Sequence, residues 1–155
     1  MPGLATAVVE ERCVDALAGR PRTGPADAWP TVFVVDDDEC LRALVGDWIE
    51  DAGFRAERLA SGEACLAALA TGSPVAVVLD LHMWGMGGAK TLDAIRATRP
   101  DVPVIAMTGE SDPGIALDLI DRGASEFLLK PVTRNQLVRS VLAVTGRPAV
   151  ALQPG

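Results

Sequence analysis

No uninterrupted apolar run in the 155 residues approaches the ~20 that a bilayer requires, so no membrane-spanning helix is expected. The amino terminus, MPGLATAVVEERCVDALAG, lacks a basic n-region and breaks its apolar pattern with Glu10, Glu11 and Arg12, so a secretory signal is not expected either and the cytoplasm is the expected location. A surplus of basic charge is also missing. The formal net charge is −7, whereas phosphate contacts need clustered Lys and Arg, so direct nucleic-acid binding by this chain is not expected and its partners should be proteins. The three cysteines, Cys13, Cys40 and Cys65, are odd in number and show neither CxxC nor metal-ligand spacing. They read as reduced thiols, with Cys40 and Cys65 as packing residues. Neither GxGxxG nor GxxxxGK[ST] follows any apolar run, which argues against a nucleotide-binding module. What remains is ordinary globular composition, 49% hydrophobic and 23% charged, in a chain long enough for one domain with a sizeable core.

Residues 1 to 30 are rich in Ala, Gly, Pro and Arg, and the stretch GRPRTGPADAWP resists regular structure, which marks an arm or linker with room for a short helix near residues 7 to 18. The end, residues 147 to 155, reads as a loose tail. The part between, residues 31 to 146, is the expected domain. VFVVD opens it, and Leu41, Leu44, Val45, Trp48 and Ile49 then recur at helical spacing behind Asp38 as N-cap, with Gly53 beyond. FRAERLA reads as a short strand, after which Ser61 caps a helix carrying Leu66 and Leu69 that stops near Gly72. VAVVLD is a third strand, and after a Gly-rich loop Leu92 and Ile95 mark a helix ending before Pro100. VPVIAMT is the fourth strand. Asp112 with Pro113 behind it starts a helix whose inner face is read as Ile115, Ala116, Leu119 and Ile120. SEFLLK is the fifth strand, and Thr133 with Gln136 forms a capping box for a helix that buries Leu137, Val138, Val141 and Leu142 before Gly146.

Five strands alternating with five helices predict a doubly wound α/β fold, a parallel sheet covered on both faces. Near-continuous apolar strands fit that prediction. Ligands of such sheets gather beyond the carboxyl ends of the strands, where the winding reverses. Three apolar runs end there in chemistry: VFVVDDD in aspartates, VAVVLD in Asp80, and VPVIAMT in Thr108. If Asp36, Asp37, Asp80 and Lys130 share one pocket, two negative charges stay uncompensated, and mutual repulsion raises at least one carboxyl pKa unless a cation is present. A divalent hard ion balances the charge, and Mg²⁺ fits best because it accepts one or two carboxylates plus waters and phosphoryl oxygens. Phosphoryl transfer to one carboxylate then becomes feasible, with Lys130 and the Thr108 hydroxyl holding other phosphoryl oxygens.

In that order and spacing, VVDDD, VLDLHM, MTGES and EFLLKP resemble the receiver domain of two-component response regulators. The likeness implies a flavodoxin-like (βα)5 domain with strand order 2-1-3-4-5. It implies Asp80 as phosphoacceptor, Asp37 as direct metal ligand, Asp36 assisting, and the His82 backbone carbonyl as a further ligand. It implies Thr108 as switch hydroxyl, Phe127 as switch aromatic, Lys130 as phosphate partner, and Pro131 at a cis peptide. A sensor histidine kinase or phosphotransfer protein would be the donor, and a downstream protein or an output domain would read the switched face, with homodimerisation on phosphorylation as one output. Autocatalysed transfer and loss of the phosphoryl group, rather than turnover of a substrate, would be its chemistry. MTGESDPGIALDLIDRGASEFLLKPV is most similar to receivers that carry helix-turn-helix output domains, and no output domain fits in the remainder of these residues.

The pattern departs from the family at Trp84, where proline is usual after methionine, and at Gly87, where an acid is common. Loss of proline's fixed φ should loosen the loop, which makes Trp84 a candidate contact for a partner or the arm. Plainer readings stand beside these. Asp80 alone could cap a loop at a strand end, Asp38 is read as a helix cap rather than a ligand, Phe127 could be core, and the His82 ring could tune phosphoaspartate hydrolysis or do nothing. A haloacid-dehalogenase-like phosphatase also places an aspartate after an apolar strand, but wants a second acid two residues on, where this chain has His82. A receiver that only docks, without phosphorylation, is a third class, and separately the domain is read either as a stand-alone receiver or as a regulatory fragment of a longer DNA-binding regulator.

Overall fold

The two faces of the central strands are both apolar, and this decides the architecture. In β1 (Thr31–Val35), Val32 and Val34 point to one side while Phe33 and Val35 point to the other, and all four are buried. A strand dry on both faces needs helices above and below it. The computed structural model describes residues 29–83, 85–109 and 113–146. The expected helix near residues 7 to 18, the arm up to residue 28, Cys13, Trp84, the Asp112 cap and the tail lie outside the described residues.

The elements follow as α1 (Glu39–Asp51), β2 (Arg55–Leu59), α2 (Gly62–Leu69), β3 (Ala76–Asp80), α3 (Gly88–Thr98), β4 (Val104–Thr108), α4 (Pro113–Asp121), β5 (Glu126–Leu129) and α5 (Arg134–Thr145). The five strands are parallel in the order β2-β1-β3-β4-β5. Val45, Trp48 and Ile49 of α1 and Leu137, Val138, Val141 and Leu142 of α5 pack on the face of Val32, Val34, Val78 and Met107. Cys65 and Leu69 of α2, Leu92 and Ile95 of α3 and Leu119 of α4 pack on the face of Phe33, Val77, Leu79 and Ala106. Each such side chain contributes ~1.5–3 kcal/mol through burial.

Local signals set the helix ends. Asp38 accepts from the N–H groups of Cys40 and Leu41, Ser61 from Ala64, and Thr133 forms the expected capping box with Gln136. Two expectations need correction. Ile120, read as part of the inner face of α4, is 46% exposed, as is its neighbour Leu117 at 67%. The helix turns only Leu119 squarely onto the sheet, leaving the side about 100° away in solvent. Cys40, read as a packing residue, is exposed in the first turn of α1, while Cys65 is buried. The strands are also shorter than their apolar runs. VPVIAMT begins two residues before β4, because Val102 is buried in the turn ahead of the strand.

The start of α3 is pressed onto the end of β3 at Gly88. A β-carbon there would meet the Leu81 Cα and stand 2.6 Å from the Asp80 carbonyl oxygen, both backbone atoms that cannot rotate away. Gly88→Ala should therefore destabilise the domain by ~1–3 kcal/mol, through displacement of the segment that carries Asp80. Urea unfolding of the variant checks this, and wild-type stability would show that the helix start moves freely.

Candidate functional site

Each apolar strand leaves the core where its chain turns polar, and the sheet register brings those exits together. Asp36 follows β1, Asp80 ends β3, Thr108 ends β4 and Lys130 follows β5. β1 and β3 are adjacent although their numbers are not consecutive, and this is the point where the winding reverses. Asp80 pairs with Met107, Thr108 pairs with Leu129, and the Lys130 N–H donates to the Thr108 carbonyl at 2.7 Å. Four positions far apart in the sequence thus share one rim.

Carboxylate oxygens of Asp36, Asp37 and Asp80 all lie within 4.8 Å of one another. Asp36 is fully buried and Asp80 is 2% exposed, while Asp37 is half-buried at the mouth. Lys130 Nζ donates to Asp80 Oδ1 at 2.9 Å, and the His82 backbone N–H donates to the same oxygen at 3.2 Å. Thr108 is 1% exposed, and its Oγ1 lies 3.4 Å from His82 Nε2. A cleft of about 440 Å³ opens beside them, lined by Asp37, Leu81, His82 and Met83. Phe127 sits three residues before Lys130, partly buried against the second core cluster. The Lys130–Pro131 peptide is cis.

Asp36 carries the electrostatic stress of the cluster. Its carboxyl is pushed up to about 6, first by burial and further by the neighbouring charge of Asp80, against the opposing pull of the Asp38 N–H and of Lys130. One of its oxygens, Oδ1, accepts from the Asp38 N–H at 2.9 Å, whereas Oδ2 is buried without a hydrogen-bond partner among the described residues. A buried carboxylate oxygen in that position costs free energy unless something electropositive meets it. Three converging carboxylates, two of them buried and the third at the cleft mouth, are the donor set a hard divalent cation takes, so the residues fit such an ion.

Arg42 was not visible as a site residue. From α1 its Nη1 donates to the Asp36 carbonyl at 2.8 Å, which ties the first helix to the acidic loop. In the sequence it is one polar residue on an amphipathic helix, and nothing marks its partner. Asp38 contributes its side chain to the helix cap, as read from the sequence.

A doubly wound sheet in this order, with an acidic cluster at its switch point and a lysine just beyond the last strand, defines a flavodoxin-like domain with an acidic site. The chain belongs to the response regulator receiver domain family, whose profile matches residues 32–142. It is similar to the C4-dicarboxylate transport transcriptional regulatory protein DctD of Rhizobium meliloti, with 38% identity over 113 residues, 73% of this chain and 25% of that protein. It is likewise similar to the DNA-binding transcriptional regulator NtrC of Salmonella typhimurium, with 36% identity over 110 residues, 71% of this chain and 24% of that protein. The chain therefore spans about a quarter of the length of these relatives. Among solved structures, the Vibrio cholerae chemotaxis protein CheY4 superposes with a TM-score of 0.71 and 27% identity, over 76% of this chain and 99% of that one. Receiver domains are signalling domains rather than enzymes with a turned-over substrate, they interact with histidine kinases or phosphotransfer partners, and they generally bind Mg²⁺ at an acidic pocket. Among the described residues no helix is long and apolar enough to cross a membrane.

Proposed function

We propose that this domain, residues 31 to 146, accepts a phosphoryl group on Asp80 from a histidine kinase or phosphotransfer protein in the cytoplasm. The observation that supports it most is the position of Asp80: a carboxylate 2% exposed, with two acids beside it and Lys130 on one oxygen. Asp36, Asp37, Asp80 and the His82 carbonyl would hold Mg²⁺, which when bound supplies charge neutralisation for the incoming phosphoryl group. A carboxylate oxygen of Asp80 attacks phosphorus and forms an acyl phosphate, while the bond from phosphorus to the donor breaks and its electron pair leaves with the donor. Lys130 would turn from the carboxylate to a phosphoryl oxygen. Thr108 would move to give its proton to another.

Movement of Thr108 would free space for the partly buried Phe127, and the change would be read on α4, β5 and α5. Leu117 and Ile120 of α4 and Leu129 of β5 are large apolar side chains left 67%, 46% and 44% exposed, which suits a face that meets a partner protein, an output domain or a second copy on phosphorylation. The transcriptional regulators among the relatives make a DNA-binding output the natural reader, in line with a receiver that works within a longer regulator.

A small phosphodonor with Mg²⁺ tests the reading. The intact protein should gain the mass of one phosphoryl group, and borohydride reduction followed by peptide mass spectrometry should place the modification at residue 80. No mass gain, or a modification elsewhere, refutes it.

A further inference from the structure

His82 is the single histidine of the chain, and the mechanism above uses only its backbone. Its N–H donates to Asp80 Oδ1, which fixes residue 82 at the mouth of the pocket, and from there the exposed ring reaches inward to the buried Thr108 hydroxyl, with Nε2 3.4 Å from Oγ1. An imidazole from the loop after β3 thus touches the one hydroxyl that the phosphoacceptor reading requires to move.

We propose that the His82 side chain is a latch on Thr108, holding the hydroxyl in its unphosphorylated position until the phosphoryl group on Asp80 draws it away. The proposal rests on the phosphoacceptor reading and deepens it. His82 is on this account a positioning residue that acts through Thr108. A threonine hydroxyl has one proton to donate and two lone pairs to offer. With the hydroxyl as donor, its proton is already engaged by Nε2; with the ring as donor, the oxygen is pinned beside the ring. In either tautomer, turning toward a phosphoryl oxygen gives up this contact. The resting state therefore holds an interaction that the phosphorylated state lacks, and such a difference shifts the equilibrium between them. At 3.4 Å the hydrogen bond is long, and the ring stands in water, so the latch is weak, worth about threefold in the equilibrium.

Fluoroberyllate with Mg²⁺, a phosphoryl mimic, reads that equilibrium by titration calorimetry on the full chain. His82→Leu keeps side-chain bulk and removes both ring nitrogens, so affinity should tighten about threefold. In the Thr108→Val background, which has no hydroxyl to hold, the same substitution should change nothing. His82→Ala should repeat both results. An equal change in both backgrounds shows a ring that merely crowds the pocket mouth and overturns the latch, as does unchanged affinity when Thr108 is present. A wild-type chain that binds no fluoroberyllate in Mg²⁺ overturns the phosphoacceptor reading itself, a result distinct from either.

Discussion

Asp80→Asn abolishes phosphoryl uptake while the fold persists. Asparagine keeps an Oδ1 that can accept from Lys130 Nζ and from the His82 N–H, now at 2.9 and 3.2 Å, so the two bonds that orient the side chain survive. The new amide N–H₂ replaces an oxygen in a cluster where like charges already face one another, which relieves repulsion in the metal-free protein. What is lost is the anionic oxygen, because a neutral amide is too poor a nucleophile to form the acyl phosphate. Uptake from a small phosphodonor should fall below detection in intact-mass spectra, with the variant's thermal midpoint at or above that of wild type in EDTA. Mg²⁺ affinity should fall as well, since one of three charges facing the ion is gone. Uptake by the variant at a rate near wild type would show that another residue is the acceptor and that the geometry around Asp80 has been misread.

The parts of this molecule that were legible in the sequence are those set by nearest neighbours along the chain or by periodicity. Val32 to Val35 and Ala76 to Leu79 are apolar at every position because both faces of their strands are covered, which agreed with the strand–helix alternation that signalled a parallel, doubly covered sheet. The caps at Asp38, Ser61 and Thr133 were legible because their partners lie within three residues. β2 lacks the all-apolar signal, since as an edge strand it carries exposed Arg55, Glu57 and Arg58, and FRAERLA overran it by one residue at each end.

Contacts made across the fold were not legible. Arg42 on the Asp36 carbonyl and the His82 ring beside Thr108 join residues whose sequence separation says nothing of their distance. Arg99, from the end of α3, closes the far end of α2 by donating to the carbonyls of Leu69 and Gly72 at 3.3 and 3.0 Å, a bond across 30 and 27 residues. Ile120 failed for a related reason. Helical periodicity shows which residues share a side, but the width of the side that a sheet edge covers depends on the neighbour, and here it reaches Leu119 and stops. The candidate site was legible as composition, three acids, a threonine and a lysine at strand ends. Its order of burial, Asp36 deepest and Asp37 at the mouth, was not.

That order has a measurable consequence in the metal-free protein. Asp36→Asn should stabilise it near neutral pH by ~2–3 kcal/mol, and the gain should vanish in acid. The folded-state pKa of Asp36 is raised to about 6, chiefly by burial, from an ordinary value of 3.8. Between these values the folded protein binds more protons than the unfolded chain, so this group's contribution to stability declines as pH rises through that window. Above pH ~6 the native state carries the full penalty of a buried charge, and below pH ~4 it carries none. Asparagine removes the charge and retains an oxygen for the Asp38 N–H, while its amide faces Asp80 as a donor instead of a like charge. Urea unfolding in EDTA at about pH 4 and about pH 7.5, near the lower edge of that window and above its upper edge, should show the two proteins converging in acid and separating near neutrality. The variant's thermal midpoint at neutral pH should rise by roughly 5–10 °C. Added Mg²⁺ should reverse the ranking, because an ion that binds the folded state stabilises wild type by mass action and finds one fewer charge in the variant. Equal stability of the two proteins at neutral pH in EDTA would mean that Asp36 is better solvated than its burial indicates. The buried acid would then no longer argue for a cation at this cluster.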